Sequence, residues 1–328
     1  MITNAFLVQQ LQRLSLANQA INPHLKATRK TAPRASEGVV LCCVRNEMPL
    51  LPAFLKHYRA IGVTRFAFVD NGSTDGTAAF LLDQPDCDLF EIAGRFRESR
   101  HGMVWKNLLI LEYLGARWYF SADADEHAVY DGWPGLGLDE FAIRMSLRGR
   151  SAVTAVMVDM YGPEPIAKAK PARGGNLLKA CPLFDGEGYR IARPNNWREE
   201  QFFRLRIQGG PLARVFAKAE HGLLAKTPLI LEPNIYFLDP HSVLPVGLNM
   251  IAPDIALLHF RFTAHLAQKI ASVLEHRGHT NGSLEDYQTL GRKMEQDAAF
   301  GLTYPGSVKF RSPAQFVERQ MIGAGKQL

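Results

Sequence analysis

The feature that most constrains this chain is the alternation of short apolar runs with helix-period segments through its first part. Gly38–Glu47 (GVVLCCVRNE) begins as the unbroken apolar run of a buried strand and ends in Arg45, Asn46 and Glu47. Pro49 suits a first helical turn. Leu50, Leu51, Phe54, Leu55, Tyr58 and Ile61 then recur at three- and four-residue spacing until Gly62 stops the helix. Arg65–Val69 (RFAFV) is a second buried strand. It runs into the turn-rich stretch Asp70–Thr77 (DNGSTDGT), where Ser73, Thr74 or Asp75 can cap a helix beginning near Thr77. A strand near Leu89–Ile92, a helix over Met103–Leu114 and a strand at Trp118–Ser121 continue the pattern. This β/α alternation predicts an α/β fold with a mainly parallel sheet.

In such sheets ligands bind beyond the carboxyl ends of the strands. Arg45–Glu47, Asp70–Asp75 and Asp123–Glu126 all fall there and are expected to line one crevice. The third cluster lies in Trp118–Val129 (WYFSADADEHAV). Read as a strand end, it turns Asp123 and Asp125 the same way, and two hard oxygen ligands on one face suit Mn2+ or Mg2+ with positions left for a diphosphate. Each cluster also has a plainer reading: a solvated acidic turn, an Asn71-Gly72 turn, a helix cap at Asp75.

Taken together and in order, VRNE, a helix containing His57-Tyr58, the stretch GV-x-R-F-x-F-V-D-N-G-S-T-D-G-T and DADE resemble the bacterial family 2 glycosyltransferases. The resemblance is to the branch with an R-N-E strand end and a D-x-D-E metal motif, and it covers about Val39–Val129. It implies a GT-A type fold, with helical N- and C-terminal extensions in this chain, a nucleoside-diphosphate sugar donor, a divalent metal (Mn2+ or Mg2+) and inversion at the anomeric carbon. Carried over by position, it gives Asp70 the uracil or ribose and puts Arg45 and Glu47 beside the nucleotide. Asp75 would support that loop or the ribose, Asp123 the ribose or the metal's water shell, and Asp125 would bind the metal directly. Uridine diphosphate is the preferred nucleotide, guanosine diphosphate the second. The chain departs from the pattern at His127, where these relatives commonly carry an aromatic residue.

The rest of the chain is less explicit. Ser151–Met160 (SAVTAVMVDM) predicts a long buried strand, and residues 166–200, rich in Lys, Arg, Gly, Pro and Asn, a long loop over the site. Gly209-Gly210-Pro211 reads as a glycine-rich turn and Lys226-Thr227-Pro228-Leu229 as a lysine-bearing loop. Similar patterns in the same branch place both, with Lys226, near the diphosphate or acceptor, where freed amides and a cation would meet a leaving diphosphate. GT-A enzymes of several families complete the metal shell with a C-terminal histidine. Leu257-Leu258-His259-Phe260 resembles that element, and Pro240-His241-Ser242 is a second candidate; a buried hydrogen-bonded role is the alternative for each. For the base that deprotonates the acceptor, Glu199 and Glu200 lead, because Trp197-Arg198 precedes them and an aromatic beside a carboxylate suits a sugar site; Glu164 and Asp185 are also candidates. From Ala264 a helix to His276, a Gly/Asn turn and a helix over Leu284–Phe300 suit packing or dimerisation.

Composition bounds the remaining choices. The chain has 328 residues, 47% hydrophobic and 21% charged, which are globular values, and no apolar run long enough to cross a bilayer. With no secretory signal pattern, a cytoplasmic location is expected. Cys42, Cys43, Cys87 and Cys181 lack zinc spacing and read as structural thiols. Residues 1–36 carry five Lys/Arg and no acid, close to the whole net charge of +6, with Leu7, Leu11 and Leu14 at amphipathic spacing before Pro23 and the basic stretch Lys26–Arg34. That suits contact with anionic headgroups at the inner membrane face, a partner chain, or a helix on its own domain followed by a basic linker, the last being preferred. Nucleic acid is not an expected partner, since residues 37–130 have nine basic and thirteen acidic side chains. The organisation expected is a basic N-terminal segment at 1–36 and a glycosyltransferase domain at 37–265, followed by a helical extension at 266–328. Within the domain, residues 37–130 would form the nucleotide-sugar half and 131–265 the acceptor half. Two rival functions remain in view: a sugar nucleotidyltransferase, disfavoured because Arg45–Pro49 contains no glycine, and a non-catalytic nucleotide-sugar-binding subunit of a polysaccharide assembly complex. The acceptor expected from family habit is a saccharide or lipid-linked oligosaccharide.

Overall fold

A computed structural model describes residues 25–31, 37–170, 175–192, 204–216, 223–232, 234–276 and 281–324. The amphipathic stretch around Leu7–Leu14 and the proposed bases Glu199 and Glu200 lie outside the described residues. The strands, in chain order, are β1 (Lys26–Arg29), β2 (Val39–Val44), β3 (Phe66–Asp70), β4 (Cys87–Glu91), β5 (Tyr119–Ser121), β6 (Glu126–Tyr130), β7 (Ala152–Tyr161) and β8 (Leu183–Asp185). They continue as β9 (Arg190–Ala192), β10 (Arg206–Gln208), β11 (Ala225–Ile230), β12 (Tyr236–Asp239), β13 (Ser242–Leu244), β14 (Ile255–Phe262) and β15 (Ser307–Lys309).

The predicted alternation is present. The helices Leu51–Ala60, Thr77–Leu82 and Met103–Glu112 connect β2, β3, β4 and β5, which pair in the order β4-β3-β2-β5, all parallel. The order continues through β11, β7, β14 and β6. Since β11 is antiparallel to both β5 and β7, and β14 is parallel to β7, the strands β4, β3, β2, β5, β7 and β14 all run in one direction. The fold is therefore mixed α/β around a central, mostly parallel sheet flanked by helices, the architecture expected for a GT-A type chain.

The strands read as continuous apolar runs because both faces are covered. Val40, Cys42, Phe66 and Phe68 pack with Phe54, Leu55 and Tyr58 of the helix Leu51–Ala60. Val39, Leu41, Ala67 and Val69 pack with Trp105, Leu109 and Ile110 of the helix Met103–Glu112 on the other face. All four cysteines are free; of the two read into an apolar strand Cys42 is wholly buried and Cys43 partly so, and Cys87 and Cys181 are buried as well. One expectation is corrected: Lys26–Arg29, read as linker, forms an edge strand antiparallel to β4. The Arg29 guanidinium fixes it by donating to the carbonyls of Leu81 and Cys87 at 2.9 Å. A basic strand also suits a sheet edge, where charge discourages further pairing.

Two features of the topology position the site. The chain leaves β2 toward β3 and β4, then returns to the far side of β2 as β5. That reversal opens a crevice between the carboxyl ends of β2 and β5. The sheet is also curled. In a flat sheet β5 and β6, with β11, β7 and β14 between them, would stand about 19 Å apart. Yet only Ala122–Asp125 connect them, and they do so through a tight turn in which the Glu126 N–H donates to the Asp123 carbonyl at 2.9 Å. The carboxyl ends of β7 and β14 must therefore bend round to this turn.

Candidate active site

The two loops beyond β2 and β3 are stitched directly to each other. Asn46 N–H donates to Ser73 Oγ at 2.9 Å, Glu47 N–H to Thr77 Oγ1 at 3.1 Å and Met48 N–H to Asp75 Oδ2 at 3.0 Å. In return Asn46 Oδ1 accepts from Thr74 N–H at 2.7 Å. Asn46 adopts φ 57°, a left-handed conformation that asparagine tolerates better than most side chains. The Asp70 carboxylate is engaged by Ser73, accepting from its N–H at 3.0 Å and from its hydroxyl. Asp75, one residue before the N-cap Gly76, also accepts from the N–H of Thr77, the first residue of the helix Thr77–Leu82, at 3.0 Å while holding the neighbouring loop. Asp70 and Asp75 thus shape the rim of the crevice. Arg45, just past β2, is exposed on that rim.

The acidic run differs from its sequence reading in one decisive respect. Asp123 and Asp125 lie in the turn between β5 and β6, not on a strand, so their side chains part. Asp123 faces two lysines: Lys106 Nζ stands 3.0 Å from Oδ1 and Lys226 Nζ 3.0 Å from Oδ2. Burial would raise its pKa, but Lys106 and Lys226 hold it well below the usual carboxylate range. Lys106, from the helix Met103–Glu112, is buried and also donates to Ser121 Oγ at 2.9 Å. Glu126 is buried, its carboxylate paired with Lys226 and accepting from Asp123 N–H at 3.1 Å, and burial raises its pKa.

Asp125 faces the other way. Its Oδ2 lies 3.0 Å from Lys269 Nζ and 3.5 Å from His259 Nε2. Burial opposes its charge, but Lys269 and His259 lower its pKa well below the usual value. His259, on β14, is also bonded through Nδ1 to Asp159 Oδ1 at 2.7 Å, its register partner on β7. Burial alone would lower the pKa of His259; with a carboxylate at each ring nitrogen it is raised to about 9. Lys269, from the helix Leu266–His276, also reaches Glu47 Oε1 at 3.7 Å. Glu47 is pushed up to about 7, first by burial, and its Oε2 is buried with no hydrogen-bond partner. The crevice predicted from separate motifs is therefore a single network, with Lys269 joining the loop after β2 to the acidic turn.

These geometries revise several sequence expectations. Lys226 is on the buried strand β11, not a loop; the strand accommodates Pro228 through a register shift between Lys226 and Leu229. His241 stands away from Asp125, its Nδ1 bonded to the Ala225 carbonyl at 2.9 Å. Burial, with Lys226 and Arg204 nearby, lowers it to about 4. His127 fills the aromatic position physically, stacked on His57 at 4.4 Å and edge-on to Phe260 at 5.0 Å. Gly209 and Gly210, at φ 125° and 72°, open the helix Gly210–Val215. That helix delivers Arg214 to Asp185, with Nη2–Oδ1 at 3.1 Å, while Tyr161 Oη donates to the same oxygen at 2.7 Å. Asp185 is thus tied up as an anchor, and Glu164 is exposed.

As a cation site the crevice has suitable donors but a closed geometry. Asp125, His259 Nε2 and Glu47, whose Oε2 accepts no hydrogen bond, are carboxylate and imidazole groups of the kind that suit Mn2+. Among the described residues, however, no three Asp, Glu, His or Cys side chains converge into a metal cage. The Lys269 ammonium stands between Asp125 and Glu47, and Asp123 is taken by Lys106 and Lys226. Lys106, Asp159 and Lys269 went unnoticed in the sequence. Lys106 as the lone charge inside MVWKNLLI, and Asp159 near the end of an otherwise apolar strand, were the available signals.

No protein-family model matches the chain, and no curated protein matches its sequence. Among solved structures it is similar to the mannosyltransferase PcManGT from Pyrobaculum calidifontis in complex with GDP-Man and Mn2+. The identity is 14%, the TM-score 0.34, and the match covers 96% of this chain and 75% of that one. It is also similar to a Bacillus anthracis protein described as a glucose-1-phosphate thymidylyltransferase, in complex with a sucrose (9%, TM-score 0.28, 90% and 97% covered). A third is 4-diphosphocytidyl-2C-methyl-D-erythritol synthase (10%, TM-score 0.28, 88% and 98% covered). At such low identity and TM-score, a functional reading rests on this chain's own side chains.

Proposed function

We propose that this protein is a glycosyltransferase of the family 2 type, moving a sugar from a nucleoside-diphosphate sugar, preferably a uridine diphosphate sugar, to a saccharide or lipid-linked acceptor with inversion. The observation that carries this reading is the joining of Arg45–Glu47, Asp70–Asp75 and Asp123–Glu126 into one network at the strand-order reversal between β2 and β5, where α/β sheets bind nucleotides.

The crevice supplies several parts of such a reaction. The loop Asp70–Asp75, braced by Asn46, forms a wall for the nucleoside. Lys226 and Lys269 are the cations nearest the place where a leaving diphosphate gathers charge, and both are raised in pKa and stay protonated; burial opposes this, but Asp123 and Glu126 outweigh it for Lys226, and Asp125 and Glu47 for Lys269. A divalent ion, with Asp125 and His259 as its proposed ligands, would supply Lewis-acid neutralisation of that charge. Asp159 orients the His259 ring through Nδ1, leaving Nε2 toward Asp125. For deprotonation of the acceptor hydroxyl, Glu199 and Glu200 are the proposed bases. No helix among the described residues is long and apolar enough to cross a membrane. Contact of the basic N-terminal segment with a membrane face remains part of the proposal.

Calorimetric titration of uridine diphosphate in Mn2+ buffer tests the reading on wild type and Asp125→Ala. Binding that weakens at least about tenfold in the variant is expected. Failure to bind either uridine or guanosine diphosphate would overturn it. Pyrophosphate release from a nucleoside triphosphate and a sugar phosphate, without sugar transfer, would favour a nucleotidyltransferase instead.

A further inference from the structure

The strand β14 carries an extra residue at its carboxyl end. His259 pairs with Asp159 of β7, but Phe262, three positions on, pairs with Tyr161, two positions on, so one residue of β14 between them is unmatched. Phe260 packs in the same cluster as Met160, and Phe262 in the same cluster as Tyr161, which leaves Arg261 as the residue in excess. A bulge bends its strand and re-aims the side chain it frees, and bulges recur beside active sites. This one lies two positions beyond His259, where the crevice opens.

Arg261 differs from the lysines around the crevice. Lys106, Lys226 and Lys269 each have a carboxylate oxygen at 3.0 Å. The Arg261 guanidinium has no carboxylate partner among the described residues. It stands over two rings, 5.5 Å from the centroid of Phe262 and 5.5 Å from that of Tyr287 on the helix Asn281–Gln296, and its Nε is buried with no hydrogen-bond partner. Asp159, Asp125 and Asp286 act on it only from farther off. The first two already share His259, and Asp125 has Lys269 as well. Aromatic faces hold a guanidinium in place without using its N–H groups, and a half-buried charge left unpaired costs free energy that an anion of a ligand would recover.

We propose that Arg261 is the oxyanion-binding residue of an acceptor subsite, so that the protein takes an acidic saccharide whose carboxylate or phosphate lies against the guanidinium. The inference rests on the glycosyltransferase reading. In that reading the nucleoside wall stands beyond β2 and β3, and Lys226 and Lys269 serve the leaving diphosphate. Arg261 belongs to β14, which the sheet order separates from that wall by β5, β11 and β7, so it lies on the acceptor side of the acidic turn. A guanidinium offers parallel N–H groups that match the two oxygens of a carboxylate or phosphate. A neutral sugar has no such partner, and selection is therefore by charge.

Glucose, glucuronate and glucose 6-phosphate share a ring and differ in charge, which makes them the probes. Each is titrated without nucleotide into the full chain and followed by saturation-transfer NMR, on wild type, Arg261→Gln, Arg261→Met and Arg261→Lys. Circular dichroism melts check folding, and two neutral substitutions guard against one that does not fold. Wild type is expected to bind glucuronate or glucose 6-phosphate at least about tenfold more tightly than glucose, and the better of the two tells a carboxylate acceptor from a phosphorylated one. Arg261→Gln and Arg261→Met should lose the preference, and Arg261→Lys, which keeps the charge without the paired N–H groups, should keep only part of it. Equal affinity for all three sugars in wild type, or a preference that survives in the neutral variants, overturns the proposal. The favoured acid should also stay bound when uridine diphosphate is added to saturation; its displacement would put Arg261 at the donor diphosphate and overturn the acceptor assignment. Because charge selection is read without nucleotide, a failure of uridine diphosphate to bind counts against the glycosyltransferase reading and not against the anion site.

Discussion

The backbone N–H of Asn46 donates to the hydroxyl of Ser73 at 2.9 Å, so the end of β2 and the loop after β3 form one unit. The Ser73 hydroxyl in turn donates to the Asp70 carboxylate, and Asn46 Oδ1 holds Thr74 N–H at 2.7 Å. The wall assigned to the nucleoside is thus held by short polar side chains acting on backbone groups, which leaves little slack for the loop to drift.

Asn46 serves both as a left-handed residue and as an acceptor, and substitution separates the two roles. Asn46→Gly keeps the φ of 57° without strain but loses the bond to Thr74. Asn46→Ala loses both. Urea unfolding should show a cost of about 1 kcal/mol for the glycine variant and about 2 kcal/mol for the alanine variant. Uridine diphosphate affinity should fall in both. Equal stability of the two variants would show that the backbone conformation carries no cost.

Asp88 is an acid with a purely structural position. It is fully buried on β4, accepting from Tyr113 Oη at 2.7 Å and from Thr31 N–H at 2.8 Å, and its Oδ2 lies 3.3 Å from Arg65 Nη1. Asp88→Ala leaves the buried Arg65 paired with Glu37 at 3.4 Å. A loss of about 3–5 kcal/mol in denaturant unfolding is expected. Nucleotide affinity of the folded fraction should stay within twofold of wild type. A large affinity loss at unchanged stability would move Asp88 into the site.

Gly38 marks the entry to β2 and has no room for a side chain. A Cβ there would fall 1.8 Å from the Trp118 ring, which is buried and pinned through Nε1 to Asp139 Oδ1 at 3.0 Å. Gly38→Ala should therefore cost about 2 kcal/mol or more, with a change in tryptophan emission as the ring is displaced. Glycine is required here by the neighbouring ring and not by backbone angle.

Local periodicity made β2, β3, β7 and the helix Leu51–Ala60 legible, since each is an apolar run whose pattern needs no distant information. The polar clusters at the strand ends brought Glu47 and Asp125 forward as site residues, and the family resemblance brought His259. The parting of Asp123 from Asp125 was not legible. It depends on the chain leaving β5 at Ser121 and turning back, and so on a sheet curl set by pairings far apart in sequence, such as His259 with Asp159. The strand at Lys226–Leu229 was not legible either, since only the pairing of β11 with β7 shows how a register shift accommodates Pro228 there. Lys269 is one of many lysines in the sequence. Its significance comes from the docking of a helix 144 positions from Asp125.

The stacked pair His57 and His127 gives the protein an acid-sensitive support beneath the site. The rings lie 4.4 Å apart with 12° between their planes, and His57 Nε2 bonds the Ala128 carbonyl at 2.9 Å. Burial lowers His57 from an ordinary 6.5 to about 4, although the bond to Ala128 raises it slightly. The folded state therefore binds fewer protons than the unfolded one between these values. The stability His57 contributes is complete above pH 6.5 and is lost as pH falls toward 4. One such group adds a slope approaching roughly 1.4 kcal/mol per pH unit in that window. His57→Phe keeps a ring for the stack and removes the titration. Urea midpoints measured from pH 7 to pH 5, above the range where ordinary carboxylates interfere, should fall less steeply for this variant than for wild type. Parallel curves would mean that His57 takes up its proton in the folded state as readily as in the unfolded one.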